Sequence, residues 1–249
     1  MIRLDGAGFA YAGEKAVLRG LSAVIEPGTL TVLAGANGSG KSTLLTLLAG
    51  LYAPTEGRIE LFGLTSPGER KAFRAKARLV MQDPDLQILG ATVKEDLLLG
   101  VRASETQTVE AAKEAAARLN LDGRWEAPVQ TLSYGQKRKL CLAAALVPRA
   151  GLPAPEVLLL DEPLSGLDYP GMTEMRSILR ANAAAGLTQI VTSHDLDPLA
   201  DLAQAIMILD RGEAPVFGPP EEVLNAGIER FGVRPPCSWL AGAGIVPWS

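Results

Sequence analysis

The run Thr29–Leu51, "TLTVLAGANGSGKSTLLTLLAGL", decides how this chain folds. "TLTVLAG" is uncharged and apolar enough for a strand covered on both faces, and it leads directly into a glycine-rich loop. "KSTLLTLLAGL" then continues as a helix. Gly35, Gly38 and Gly40 let backbone amides wrap an anion, and the start of the helix presents its unpaired N–H groups to the same place. Strand, glycine loop and helix in this order make a phosphate-binding unit. A simple glycine turn would require neither flank.

"GANGSGKST", Gly35–Thr43, has the spacing of a P-loop in the context that motif needs. Asn37, Gly38, Ser39, Gly40 and Thr43 belong to the cradle. Lys41 supplies a point charge for β- and γ-phosphate oxygens, and Ser42 a ligand for Mg²⁺. Further along, "VLLLDEP" ends in Asp161, placed by an apolar strand at a sheet edge where it can hold Mg²⁺ directly or through water. Glu162 beside it can accept a proton from a water attacking the γ-phosphate. "QIVTSH" would deliver His194 to the same edge, and "RLVMQ" would deliver Gln82.

The remaining pattern is of one kind. Residues 2–28 alternate short β-like runs with glycine turns, which predicts an antiparallel edge sheet. "RIELFG", "ARLVMQ", "EVLLLDEP", "QIVTSH" and "AIMILDRG" read as strands, with a helix at about 173–185, and a parallel α/β core follows from the alternation. Between about 83 and 150 the chain reads as helical. "SETQTVEAAKEAAARLNL" opens with a capping box, Ser104 to Gln107, and extends to Gly123. "TLSYGQKRKL", Thr131–Leu140, reads as a turn feeding a helix, with Ser133 as N-cap, and it is a second place where helix amides can meet an anion. Beyond about Ala226, a tail containing Pro235, Pro236, Gly242 and Gly244 carries no pattern that assigns it a firm structure.

At 249 residues, 47% hydrophobic and 21% charged, the chain can bury a sizeable core. A net charge of −4 argues against a broad nucleic-acid surface. Cys141 and Cys237 suggest neither a disulfide framework nor a metal knuckle, and with a single histidine a protein-built transition-metal site is not expected. No apolar run reaches the length of a membrane span and the N-terminus lacks a signal-peptide pattern, so a cytoplasmic location is expected.

In order, Tyr11, "GANGSGKST", Gln82, a helical segment, "LSYGQ", "LLLDEP", "SGLD" at Ser165–Asp168 and His194 resemble the nucleotide-binding subunit of ATP-binding cassette (ABC) transporters over nearly the whole chain. The resemblance implies a P-loop ABC-ATPase fold: residues 1–226 as one domain with a helical subdomain at about 83–150, and 227–249 as a tail. It implies that Tyr11 stacks on adenine, that Gln82 touches Mg²⁺ or the attacking water, that Glu162 is the catalytic base and that His194 meets the γ-phosphate. Asp168 would cross a dimer interface. Ser133, Gly135 and Gln136 of "LSYGQ" would close over ATP held by the P-loop of a second copy, which gives the two anion sites separate work. Two positions depart from the family pattern: Tyr134 replaces the first glycine of the usual LSGGQ, and Leu164 stands where a threonine is common.

"QDPDLQ" with "TVKEDLLLG", and the continuation "GQKRKLCLAAALV", are similar to the ATPases of energy-coupling factor (ECF) transporters. That subtype implies a transmembrane coupling subunit, a substrate-binding membrane subunit, a peripheral position on the cytoplasmic face of the membrane, and cobalt, nickel or biotin as cargo. A conventional importer ATPase is the alternative. Chromosome-type ABC proteins need a coiled-coil insertion for which the interval Thr43–Thr131 has no room, ribosome-type members carry two cassettes, and a P-loop kinase would leave "LSYGQ" and His194 without work.

Overall fold

The computed structural model describes residues 1–101, 106–148 and 153–248. The chain runs through β1 (Ile2–Ala10), β2 (Ala16–Ile25), β3 (Leu30–Ala34), α1 (Lys41–Leu48), β4 (Glu56–Leu61), β5 (Leu64–Ser66), α2 (Arg70–Lys76) and β6 (Ala77–Val80). The longer elements that follow are helices, α3 (Val93–Leu97), α4 (Thr106–Arg118) and α5 (Tyr134–Leu146). Then come β7 (Val157–Leu160), α6 (Tyr169–Ala184), β8 (Thr188–Ser193), β9 (Ala205–Asp210), β10 (Glu213–Gly218), α7 (Pro220–Asn225) and α8 (Cys237–Leu240).

These strands build two sheets. One is antiparallel, in the order β2-β1-β4-β5; the other runs β10-β9-β3-β8-β7-β6. In the second, β9, β3, β8, β7 and β6 are mutually parallel and only β10 is antiparallel, at the edge. Pairing of Ala34 with Ser193, Leu160 with Val191 and Val80 with Leu160 fixes the register, so β3, β8, β7 and β6 all end on one side of the sheet. This edge is where Gly35, His194, Asp161, Glu162 and Gln82 leave their strands.

Both faces of the parallel sheet are covered, as its largely apolar strands require. Alternation along each strand divides the side chains between two cores. Val32, Leu158, Leu160 and Val191 pack with α5 and α6, while Leu33, Val157, Leu159 and Ile190 pack with α1 and the antiparallel sheet. In α1, Leu44, Leu45, Leu47 and Leu48 are all buried, each stabilising by about 1.5–3 kcal/mol, and this anchors the helix behind the glycine loop.

Differences from the sequence reading have identifiable causes, some local and some distant in the chain. Ser104, and with it the expected capping box, lies outside the described residues. α4 ends at Arg118 rather than extending to Gly123, because Asn120 takes a left-handed φ of 55°, a conformation asparagine tolerates better than most residues. α6 begins at Tyr169, where the Asp168 carboxylate accepts the Gly171 amide at 2.9 Å. Residues 227–248 carry a helical turn at Ile228–Phe231 as well as α8, and Ile228 and Val233 are buried in the core shared with α5 and α6. The Trp248 ring lies 5.0 Å from the Arg176 guanidinium, which pairs with Asp201 at 2.7 Å. Local propensity gave no sign of this packing because it depends on residues far away in the chain. Among the described residues no helix is long and apolar enough to cross a membrane.

Candidate functional site

A cleft of ≈ 640 Å³ opens at the carboxyl edge of the parallel sheet, lined by Asn37, Gly38, Gly40, Lys41, Ser42, Thr43, Gln82, Asp161, Glu162 and His194, together with Val17, Ala36 and Gly232. The loop around it has no room for side chains at two glycines. A Cβ on Gly35 would lie 2.3 Å from the Leu209 carbonyl oxygen, and one on Gly40 would lie 2.6 Å from Leu18 Cδ2 at a φ of +106°. Only glycine fits a cradle this tight. Ser39 lies buried beneath it, and its hydroxyl has no hydrogen-bond partner.

Lys41 is 7% exposed, and its ammonium donates to the Gly35 carbonyl at 2.8 Å and the Ala36 carbonyl at 3.2 Å. Burial pushes its pKa below the ordinary lysine value, while Glu162 and Asp161 act against that shift. An anion in the cleft would add to the stabilisation those carboxylates provide. Its counterparts are firmly held. Thr192 Oγ1 donates to Asp161 Oδ1 at 2.6 Å and accepts from the Glu162 amide at 2.8 Å. His194 Nδ1 lies 3.0 Å from Glu162 Oε2. Glu162, at the edge of the site, has a left-handed φ of 49°, uncommon for a non-glycine residue.

Oxygen donors from Ser42, Asp161 and Gln82 line this one cleft, a hard donor set that suits Mg²⁺. The cradle, the lysine and the carboxylates together suit a nucleotide polyphosphate with its cation.

"LSYGQ" stands elsewhere. Ser133, Gly135 and Gln136 line a separate concavity of ≈ 240 Å³ with Lys139, Leu167, Asp168 and Glu174. Ser133 does cap α5, in a full capping box: its hydroxyl accepts the Gln136 amide at 3.3 Å, and Gln136 Oε1 accepts the Ser133 amide at 2.9 Å. The Ser-x-x-Gln spacing was the sequence signal for this. Burial pushes the Glu174 carboxyl up, but hydrogen bonds from Asn120 and Lys139 outweigh it and hold the group below the usual carboxylate range.

Tyr11 is not among the residues that line the cleft. Its ring makes an edge contact with Phe9 at 4.9 Å and with Tyr52 at 5.7 Å. Leu164 is buried in the core with α5 and α6, which gives an apolar residue a reason to stand there. The sequence reading missed Thr192, Arg138, Val17 and Gly232. Strand alternation could have found Thr192, two residues before His194 and therefore on its face. Arg138 had no local signal.

A third groove, ≈ 680 Å³, is lined by Met81, Gln87, Leu89, Leu99, Leu51 and Arg74 among others. Leu86 and Leu89 beside it are 68% and 74% exposed. Gln87 pins the segment by accepting the Met81 amide at 2.9 Å and donating to the Leu79 carbonyl at 3.3 Å.

A parallel sheet with this cradle at its carboxyl edge, faced by an Asp-Glu pair, is the nucleotide site of a P-loop NTPase. The ABC transporter family matches residues 18–165. Over 236 residues the chain is 36% identical to the cobalt import ATP-binding protein CbiO of Rhodobacter capsulatus, covering 92% of this chain and 82% of that one. With the energy-coupling factor transporter ATP-binding protein EcfA of Carboxydothermus hydrogenoformans it shares 33% identity over 240 residues, 94% of this chain and 87% of that one. The solved structure of cbiO1 from Clostridium perfringens, part of the ABC transporter complex cbiONQ, superposes with a TM-score of 0.80 at 28% identity, covering 94% of both chains. The chain belongs to the ABC transporter family, as an ABC-type ATPase.

Proposed function

We propose that this chain is the MgATP-hydrolysing subunit of an ECF-type importer, working as a head-to-tail pair of identical subunits on the cytoplasmic face of the membrane. The observation that carries the paired arrangement is the separation of the two anion sites: Lys41 and Glu162 line one concavity, while Ser133 and Gly135 line another with Asp168. One copy offers half of two sites, and two copies complete both.

Glu162 accepts a proton from a water as its oxygen bonds to the γ-phosphorus, and the bond from that phosphorus to the departing ADP breaks. His194, beside Glu162 Oε2, orients the carboxylate and meets the γ-phosphate. Lys41 and the loop amides take up negative charge on the phosphates. Ser42, Asp161 and Gln82 would hold Mg²⁺, which would supply positive charge to offset that of the phosphates. Ser133 and Gly135 of the partner exclude water from the γ-phosphate, and loss of that charge on hydrolysis releases the halves. Tyr11, whose ring meets Phe9 and Tyr52 edge to face, would stack on adenine.

The groove beside Gln82–Gln87 has the apolar lining and exposed leucines that suit a helix of a transmembrane coupling subunit. A substrate-binding membrane subunit completes the complex. The relatives' cobalt import and energy-coupling factor names favour cobalt as cargo, with nickel and biotin as the other candidates.

A mixed dimer of one Lys41→Ala chain and one Ser133→Arg chain tests the arrangement. Both defects then fall on one ATP, and the dimer should occlude about one MgATP at a site indistinguishable from wild type, following the geometry of helix-terminus phosphate binding. Two equally weakened sites would refute the paired reading. For cargo, proteoliposomes carrying the complex copurified with this chain should take up Co²⁺ with MgATP inside, and ATP hydrolysis without uptake of Co²⁺, Ni²⁺ or biotin would refute that part.

A further inference from the structure

Arg138 is a buried cation in an unusual position. It is 3% exposed, it makes no ion pair among the described residues, and its Nε has no hydrogen-bond partner. A buried guanidinium without a carboxylate is costly to keep. Its Nη1 donates to the backbone carbonyl of Glu162 at 2.7 Å, and its Nη2 donates to the Tyr134 hydroxyl at 3.0 Å. The same hydroxyl donates to the Gln82 carbonyl at 3.3 Å, and the guanidinium lies 5.1 Å from the centroid of the Tyr134 ring. That ring also covers Gly166, where a Cβ would come within 3.1 Å of it. The residue that breaks the family's usual signature therefore steadies Arg138 and ties it to the Gln82 segment.

We infer that Arg138, held by Tyr134, is a positioning residue that fixes the backbone of Glu162 so that its carboxylate faces the attacking water. This rests on the reading of Glu162 as the base. The left-handed backbone of Glu162 persists only if its surroundings over-determine it, and two bonds do so from opposite sides: Thr192 on the amide and Arg138 on the carbonyl. Without Arg138 the peptide after Glu162 can turn, and the carboxylate leaves its place by a distance that matters for proton transfer. A glycine at 134 could supply neither the hydroxyl nor the ring.

The test is ATP hydrolysis by the purified chain, with MgATP affinity measured separately by calorimetry. Arg138→Met should lower kcat about 10- to 100-fold while affinity changes less than about twofold, the pattern of a misplaced catalytic group. Tyr134→Phe, which removes one oxygen from a half-exposed side chain, should lower kcat in the same direction by about 3- to 10-fold and carries the test if Arg138→Met does not fold. Arg138→Lys should recover part of the loss. In single turnovers with radiolabelled ATP, adding Arg138→Met to Glu162→Gln should cost less than about twofold more, since the group being positioned is gone. Full additivity in that double variant, or affinity falling in step with kcat, overturns the inference. Wild-type turnover by Glu162→Gln overturns the base reading and this inference with it. An inactive Glu162→Gln beside a fully active Arg138→Met overturns this inference alone.

Discussion

Replacing Glu162 by glutamine changes the proposed chemistry while leaving the surrounding structure in place. Its backbone ties to Thr192 and Arg138 do not involve the side chain, and a glutamine Oε1 can still accept from His194 Nδ1 at the 3.0 Å now spanned by the carboxylate. The Glu162→Gln chain should therefore fold and melt like the wild type. What it loses is a group able to take a proton. General-base catalysis contributes about 10²- to 10⁴-fold, or about 3–5 kcal/mol of barrier, and kcat should fall by that amount. Binding should move the other way. Removing a negative charge that lines the phosphate cleft and acts on Lys41 lessens repulsion of the γ-phosphate, so MgATP affinity should stay level or tighten by up to about tenfold. Steady-state phosphate release gives the first quantity and calorimetry the second. Light scattering should then show MgATP raising the apparent mass toward that of a dimer, since closed pairs would no longer be opened by hydrolysis. Wild-type turnover, or a rate loss explained wholly by weaker MgATP binding, would refute the reasoning.

Three other perturbations test different parts of the molecule. Asp85 Oδ1 lies 2.6 Å from Lys137 Nζ, so Asp85→Lys exchanges an exposed pair for a like-charge contact; it should cost about 1 kcal/mol or less in stability yet lower transport far more than MgATP binding, and unchanged transport would count against docking at this segment. Gly35→Ala should cost about 1–3 kcal/mol by overpacking against Leu209 and abolish the rise in melting temperature that MgATP gives the wild type, a rise whose survival would show that the cradle tolerates a Cβ. Burial pushes the Cys141 thiol up to about 12, so at pH 8 only about one molecule in 10⁴ carries its thiolate; iodoacetamide should label Cys237 in the native chain and Cys141 only after unfolding. The Asp197 carboxylate, hydrogen-bonded to the exposed Cys237 thiol, pushes that group up as well, and Asp197→Asn should quicken its labelling.

What was legible in the sequence is what local chemistry dictates. A strand such as Leu30–Ala34 is uncharged because both of its faces are covered, and the glycines at 35 and 40 are there because the loop excludes a Cβ. Once the strands are read as parallel, the residues just past their ends fall on one edge, and Gln82, Asp161, Glu162 and His194 do line one cleft. Contacts across long separations in sequence were not legible. Arg138 reaches a carbonyl 24 positions away, Thr192 an amide 30 positions away, and Gly232 joins the cleft from a tail without strong periodicity. The position of Tyr11 depends on Phe9 and Tyr52, which no pattern around Tyr11 reveals.

These long-range ties bear on how two ATP sites can act together. The N-terminal turns of α5 serve one concavity with Ser133 and Gly135, while three residues on the same helix hold the Gln82 segment: Tyr134 through its carbonyl, Lys137 through Asp85, and Cys141, whose thiol lies 3.8 Å from the Pro84 carbonyl. Spacings of three, four and seven residues put all of these on one helix face with Arg138. A rotation of α5 relative to the sheet would therefore pull on Gln82 and on Glu162 at once, and would also move the Ser133 cap, which in the proposed pair faces the second nucleotide. In the proposed pair, a packed helix that moved as a unit would link the state of one cleft to the lid of the other. Separate single bonds would carry no such linkage. A chain with glycine at 134 would keep the Lys137 and Cys141 contacts but lose the strut between Gln82 and Glu162, so its two clefts should respond more independently.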